Sequence, residues 1–292
     1  MKRSVFSAFL WAAILSGVPS SGFAEQTLWV TRIIDPPIID GLVNDSAWLN
    51  TPVLITYDSS QELPITIKSV YNDSEIFFLV IFPDLDESRT HKSWVWDKGR
   101  DIYTVGFDRE DTFIFKWNME AKPVDLSIYA DNSYKADIWF WKACRTDAAG
   151  YADDKIHLLS PTENRLAKEI ITRTGKSMFL LRESDEGESA YKIDLISEYQ
   201  GDILPRYTIK KPTGSRSDVK AKATWQDGRW TIEFGRKLRT GNRDDIQFTP
   251  AQKYLFGVSR YEIAGRKANT KLSSPLYGTG DINEKLWLEF IK

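Results

Sequence analysis

The sequence holds one cysteine, Cys144, and two histidines, His91 and His157, among its 292 residues. A lone cysteine cannot close an internal disulfide, so stability has to come from a large buried core. Two scattered histidines supply no His-rich metal cluster. No Gly-x-Ser-x-Gly nucleophile elbow and no glycine-rich phosphate loop are present either. The formal net charge of −2 and pI near 5.9 lack the basic excess of a dedicated nucleic-acid binder. After the first residues, no apolar run approaches the roughly 20 residues that span a bilayer. No self-sufficient catalytic motif emerges from the chain.

What is present begins with an export signal. Lys2 and Arg3 form a positive start, Val5 to Leu15 an apolar stretch too short to cross a membrane, and Ser20 to Ala24 a run with small residues suited to a signal peptidase. Cleavage after Ala24 would leave residues 25–292 as the mature chain, expected in the periplasm or secreted as a single domain. Eleven Trp residues are a heavy aromatic load, typical of large exported β proteins with aromatic cores or binding faces.

Strand patterns dominate that mature region. Pro64 to Tyr71 alternates with Ile65, Ile67, Ser69 and Tyr71 on one face. Asn72-Asp73-Ser74 then turns the chain into the apolar run Ile76 to Phe82, which suits a strand buried on both sides. Val219 to Gln226 and Trp230 to Phe234 flank Asp227-Gly228, the dipeptide favoured where both turn residues need positive φ. Tyr103 to Phe107, Thr112 to Trp117, Tyr254 to Tyr261 and Lys285 to Phe290 add further strands. The pattern predicts a mainly β protein, an antiparallel β-sandwich with long loops and one or two short helices. One helix is expected after Ser160, where Pro161 and Glu163 follow a cap residue. The polar stretch from about Lys176 to Ser217 reads as long loops.

Three segments carry a resemblance. Ile38-Ile39-Asp40-Gly41 with Asn44-Asp45 and Ala47-Trp48 is similar to the opening of the family-9 carbohydrate-binding-module (CBM9-like, immunoglobulin-like) sandwich. It is a fold marker: tight turns, and a Trp that plugs one end. Asp137-Ile138-Trp139-Phe140-Trp141-Lys142, Arg145-Thr146 and Gly150-Tyr151-Ala152-Asp153-Asp154 resemble the signature of the ethylbenzene-dehydrogenase-related haem-binding domain, also described as the cytochrome c-552/DMSO-reductase-like haem domain. Trp225 to Leu238, Thr240-Gly241, Asp244 to Phe248 and Tyr254 to Val258 follow in that family's order and spacing. The resemblance implies a β-sandwich that binds haem and passes electrons to a redox partner, a molybdoenzyme or a membrane cytochrome.

The residues depart from the family in one informative way. Several relatives carry Cys-x-x-Cys-His before the Asp-x-Trp segment, whereas Lys116 to Ala136 contains neither Cys nor His. Covalent c-type attachment through that motif is excluded, and any haem is of the b type. Phe140 stands where the family places a His. His91 and His157 lie in polar sequence near turns, which suits surface residues better than a ligand pair. The dehydrogenase subunits imply instead a Met and a Lys on the iron, and Met119 and Lys267 stand in roughly those places. A thioether is a soft donor that raises haem potential, and a lysine amine binds iron once deprotonated.

Trp139 and Trp141, two apart on a strand, share a face. They suit core packing, or an aromatic wall beside a porphyrin or a sugar ring. Lys142 and Arg145 would then pair with haem propionates at the rim. Asp153-Asp154 offers hard oxygens of the kind calcium takes, and equally suits a turn. Two readings follow: a non-covalent haem b electron-transfer protein with no catalysis of its own, or a haem-free sandwich that binds carbohydrate or another small ligand through exposed aromatics.

Overall fold

The Asp227-Gly228 turn forms as its chemistry demands, with φ of 51° and 73° and the flanking strands in register from Lys220↔Gly235 to Gln226↔Arg229. In the computed structural model, residues 25–58, 63–261 and 285–291 are described. Their strands are β1 (Glu25–Arg32), β2 (Leu54–Asp58), β3 (Leu63–Tyr71), β4 (Glu75–Pro83), β5 (Trp94–Asp97), β6 (Ile102–Val105), β7 (Thr112–Asn118), β8 (Tyr134–Lys142) and β9 (Asp153–Ser160). There follow β10 (Lys168–Ile171), β11 (Ser177–Ser184), β12 (Tyr191–Ile193), β13 (Ile203–Leu204), β14 (Tyr207–Ile209), β15 (Lys220–Gln226), β16 (Arg229–Lys237), β17 (Tyr254–Tyr261) and β18 (Lys285–Phe290). The proposed signal residues 1–24 lie outside the described residues.

The hydrogen-bonded path runs β10-β11-β9-β8-β7-β17-β18-β1-β3-β4-β16-β15, with β2 on the side of β3. It folds over as a β-sandwich: alternate residues of β7, β8 and β17 face those of β3, β4 and β16. Phe78 of β4 lies within 5.0–5.6 Å of Phe115, Trp117 and Trp139, centroid to centroid. At the far edge, the Tyr151↔Lys220 bridge and the Ala152 N–H to Val219 carbonyl bond join the segment before β9 to the start of β15. The expected antiparallel order needs one amendment. Strand β1 is parallel to both neighbours, β18 and β3, because it joins the two layers as a seam rather than as an arm of a hairpin.

The apolar run of β4 is buried on both faces as its composition implies. Ile76, Phe78, Val80 and Phe82 enter the sandwich interior, while Phe77 and Leu79 pack outside under Trp48. Trp48 therefore covers an outer sheet face rather than the end of the sandwich.

Two expectations fail. No helix forms after Ser160: its Oγ accepts from the Thr162 N–H at 3.0 Å, and Asn164 Oδ1 from the Leu166 N–H at 2.8 Å. Ser160 is already paired with Phe179 of β11, so the would-be cap residues build turns that lead to β10. All helical turns among the described residues are short 3-10 ones. The stretch 176–217 is likewise not merely loop. Met178 and Leu180 of β11 alternate into a second apolar cluster on the outer face of β8 and β9, and β12 pairs with β14.

Candidate functional site

Strand β7 ends at Asn118, whose side chain folds the next residues. Its Nδ2 donates to the Glu120 and Lys122 carbonyls, and its Oδ1 accepts from the Glu120 N–H. Met119 N–H donates to the Lys135 carbonyl at 3.1 Å, so the turn is tied to β8. Met119 is half-buried and lines a cleft of about 580 Å³, opposite Ile246, Gln247, Tyr254, Leu255 and Trp287, with Lys122 and Lys253 also in its wall. The facing loop is fixed by Tyr254, whose hydroxyl accepts from the Thr249 N–H at 2.6 Å and donates to the Gln247 carbonyl at 3.1 Å. The Trp287 indole N–H is buried with no partner among the described residues, and Lys253 Nζ stands 4.5 Å from that indole's centroid.

Donors that a b-type haem would need are present in this cleft, beside the carboxylates of Glu120 and Asp245. The cleft offers a soft sulfur, a flat apolar wall from Leu255 and Trp287, and lysines of the charge that propionates need. Lys267, the other expected iron ligand, lies outside the described residues. Tyr261, the last described residue before it, pairs with Thr112, at the opposite end of β7 from Met119. That length is roughly 20 Å at about 3.3 Å per residue.

The other four expected cofactor contacts are not at the Met119 cleft. Trp139 and Trp141 do share a face, and that face is the sandwich interior, where both are fully buried. Trp139 packs 5.1 Å from Trp117 and under the Arg236 guanidinium at 4.9 Å. Trp141 meets Trp230 edge-on at 4.9 Å and donates to Asp147 Oδ1 at 3.0 Å.

Lys142 ends β8 opposite Thr112, so it and Arg145 occupy the far end of the sandwich. Both are engaged there. Lys142 pairs with Asp153, which also receives Arg216 at 2.6 Å and Lys155 at 3.1 Å. Against the cost of burial, these cations hold the Asp153 carboxyl well below its usual range, while burial lowers Lys142. Arg145 pairs with Glu110, whose other oxygen accepts the N–H groups of Cys144 and Arg145 at 2.7 and 2.9 Å. The rings of Tyr191 and Tyr207 lie 5.4 and 5.5 Å from the same guanidinium. Glu110, Arg216 and both tyrosines gave no sequence motif, because this cluster assembles from distant, irregular segments.

His157 is buried and His91 half-buried, so neither is an open surface residue. His157 belongs to β9 and pairs with Ala136, at the Met119 end, whereas His91 stands 3.4 Å from Glu110 at the Arg145 end. One iron cannot be held by both across that length. Burial and the neighbouring Arg145 hold His91 neutral, with its pKa lowered to about 2. Burial and Glu110 push the Cys144 thiol up to about 11, far from a reactive thiolate.

A family model described as Ethylbenzene dehydrogenase matches residues 40–271, most of the chain, and the chain belongs to that family. No curated protein matches it. Solved structures similar to it include a carbohydrate binding module family 9 from Caldicellulosiruptor kristjanssonii in complex with cellotriose. That match has 10% identity and a TM-score of 0.40, and covers 91% of this chain and 95% of the other. A putative carbohydrate-binding protein from Bacteroides uniformis ATCC 8492 matches at 8% identity with a TM-score of 0.44, covering 92% and 100%.

Proposed function

We propose that this member of the ethylbenzene dehydrogenase family is an exported, non-catalytic protein that holds haem b without covalent attachment and exchanges electrons with a redox partner. The observation that carries this reading is Met119, a thioether in the wall of a cleft of about 580 Å³ that also includes Leu255, Trp287, Lys122 and Lys253. Bound haem would supply one-electron exchange at its iron. Met119 would hold the iron through its thioether, and Lys267 is the second residue proposed to hold it. Leu255 and Trp287 would exclude water from one ring face, while Lys122 and Lys253 would attract the propionates. Residues 1–24 would direct export to the periplasm, and among the described residues no helix is long and apolar enough to cross a membrane. A molybdoenzyme or membrane cytochrome is the expected partner.

A second reading, a haem-free sandwich that binds a sugar ring, rests on Trp96. This half-buried indole is flanked edge-on by Tyr103 at 4.8 Å and Tyr199 at 5.1 Å.

Both readings meet in one preparation. The full chain is expressed with its signal in haem-replete cells, and its visible spectrum is recorded before and after dithionite. A stoichiometric Soret band with reducible α and β bands, shifted or lost in Met119→Ala, supports the haem reading. A folded, colourless protein sinks it, and cello-oligosaccharide titration of that protein, with Trp96→Ala as control, then tests the second.

A further inference from the structure

Asp137 of β8, Asp154 of β9 and Asp245, in the loop before β17, bring one carboxylate oxygen each within 4.8 Å of one another, and all three are buried. They come from three of the segments quoted above for the family resemblance; only Asp245 borders the Met119 cleft, and the haem reading gives none of the three a role. Arg236 crosses from the opposite layer and donates to Asp137 Oδ2 at 2.9 Å, as does the Ile246 N–H, and it stands 3.7 Å from Asp245 Oδ1. Those contacts leave a large remainder. Asp137 Oδ1 and both oxygens of Asp154 and Asp245 are buried with no hydrogen-bond donor among the described residues. Asp154 is wholly inaccessible.

A fourth carboxylate makes the pattern specific. Asp185, just past β11, is 5% exposed, its two oxygens also have no donor, and its N–H reaches the Asp154 carbonyl at 3.4 Å. An unpaired buried carboxylate is costly, and four against one guanidinium multiply that cost. Protons, ordered water or a cation can relieve it, and only a cation also offsets the charge of the ionised acids.

We infer that Asp137, Asp154, Asp185 and Asp245 form a buried binding site for a divalent cation, with calcium the ion that fits. Two oxygens on one calcium, each at about 2.5 Å, lie at most about 5 Å apart, which the observed separation satisfies. A cage of several protein carboxylates suits calcium, whereas magnesium keeps most of its own water. Arg236 hydrogen-bonds Asp137 Oδ2, makes a longer ion pair with Asp245 Oδ1, and offsets one of the four charges. Asp245 also lines the Met119 cleft, which gives the ion a way in. Without the ion, burial and mutual repulsion disfavour the charged forms, raising Asp154 well above its usual range, Asp185 to about 8 and Asp245 to about 7. Such an ion would tie β8, β9, the end of β11 and the loop before β17 into one unit.

The test uses the full chain in its haem-free form, so failure of the haem reading leaves it intact. Protein stripped with EGTA at pH 8 is titrated with calcium chloride alone by calorimetry and thermal unfolding. The expected result is one equivalent bound and Tm raised by about 5 °C or more at saturation. Magnesium chloride should give a clearly smaller shift. Asp154→Asn should fold and lose at least about tenfold in calcium affinity. Asp185→Asn serves the same purpose if that variant does not fold. The inference is overturned by no calcium-dependent shift up to millimolar concentration, by an equal magnesium response, or by an undiminished calcium response in the folded Asn variants.

Discussion

Trp48 and Glu233 stand 185 residues apart, and the indole Nε1 of the first donates a 2.8 Å hydrogen bond to Oε1 of the second. The other carboxylate oxygen accepts the Asp40 and Gly41 N–H groups at 3.0 and 2.9 Å. The Asp-Gly and Ala-Trp halves of the opening motif therefore converge on one glutamate of β16, on the outer sheet face. The motif's residue types are explained by that convergence: a turn whose N–H groups point inward, and an aromatic with a donor at its edge.

Trp48→Phe keeps most of the apolar cover over Phe77 and Leu79 and removes the donor. With Glu233 left partly unsatisfied in a buried position, a loss of about 1–3 kcal/mol is expected in urea unfolding.

Gly41→Ala should cost more than an ordinary surface substitution. Gly41 sits at φ 83°, and an added Cβ would come 2.7 Å from the Ala223 carbonyl carbon and the Thr224 nitrogen. Both are backbone atoms of β15 that cannot swing aside, so the strain and the lost turn together should lower stability by about 2–4 kcal/mol. Thermal unfolding measures it.

Glu233 also predicts a pH dependence. Burial raises its pKa to about 7 despite its three N–H donors. The folded protein then binds this proton more tightly than the unfolded chain, whose glutamates titrate near about 4.3. The Glu233 contribution is full below about pH 4, falls as pH rises to about 7, and is level above. Glu233→Gln should remove that slope. Urea midpoints of both proteins at pH 5 and pH 8 check it, with the wild type losing on the order of 1–2 kcal/mol more, allowing for partial access of water.

Arg145→Met should lower stability by about 3–5 kcal/mol, because it leaves the fully buried Glu110 carboxylate without its cation. Lys142→Met should cost less, since Asp153 keeps Arg216 and Lys155. Both sit at the far end of β8 from Met119, so the Soret band of haem-loaded protein should be unchanged in each. A spectrum altered in the Arg145 variant would put haem at that end instead.

Local pattern made much of the fold legible. Alternation in β3 and β16, the continuous apolar run of β4 and the Asp227-Gly228 turn each follow from neighbouring residues. The failure at Ser160 has a clear reason: cap chemistry is shared by helices and turns, and the choice went to pairing with Phe179 of β11. Strand β11 carried its own apolar run, Met178 to Leu181, masked by the flanking charges Lys176 and Arg182. The seam strand β1 could not be read as parallel, because strand direction depends on partners that are remote in sequence. At the candidate site, Met119 was legible as a thioether at a strand end. That Lys142 and Arg145 are held by Asp153 and Glu110 was not, since nothing near them in sequence shows that pairing.

By itself the sequence determined the strand-rich class, the key turns, the lack of a Cys-x-x-Cys-His motif, and a set of aspartates and tryptophans at defined spacing. Those properties rest on bond geometry, side-chain period and residue chemistry within a few positions. Only the tertiary structure decided which layer each strand joined. It sent Trp139 and Trp141 to the core, and it brought Asp137, Asp154 and Asp245 within 4.8 Å of one another, with Asp185 bonded to the Asp154 backbone. Adjacent residues of a strand face opposite ways, so Asp153 meets Lys142 while Asp154 meets three other acids. Charge partners across a sandwich are set by the folding of one layer onto the other.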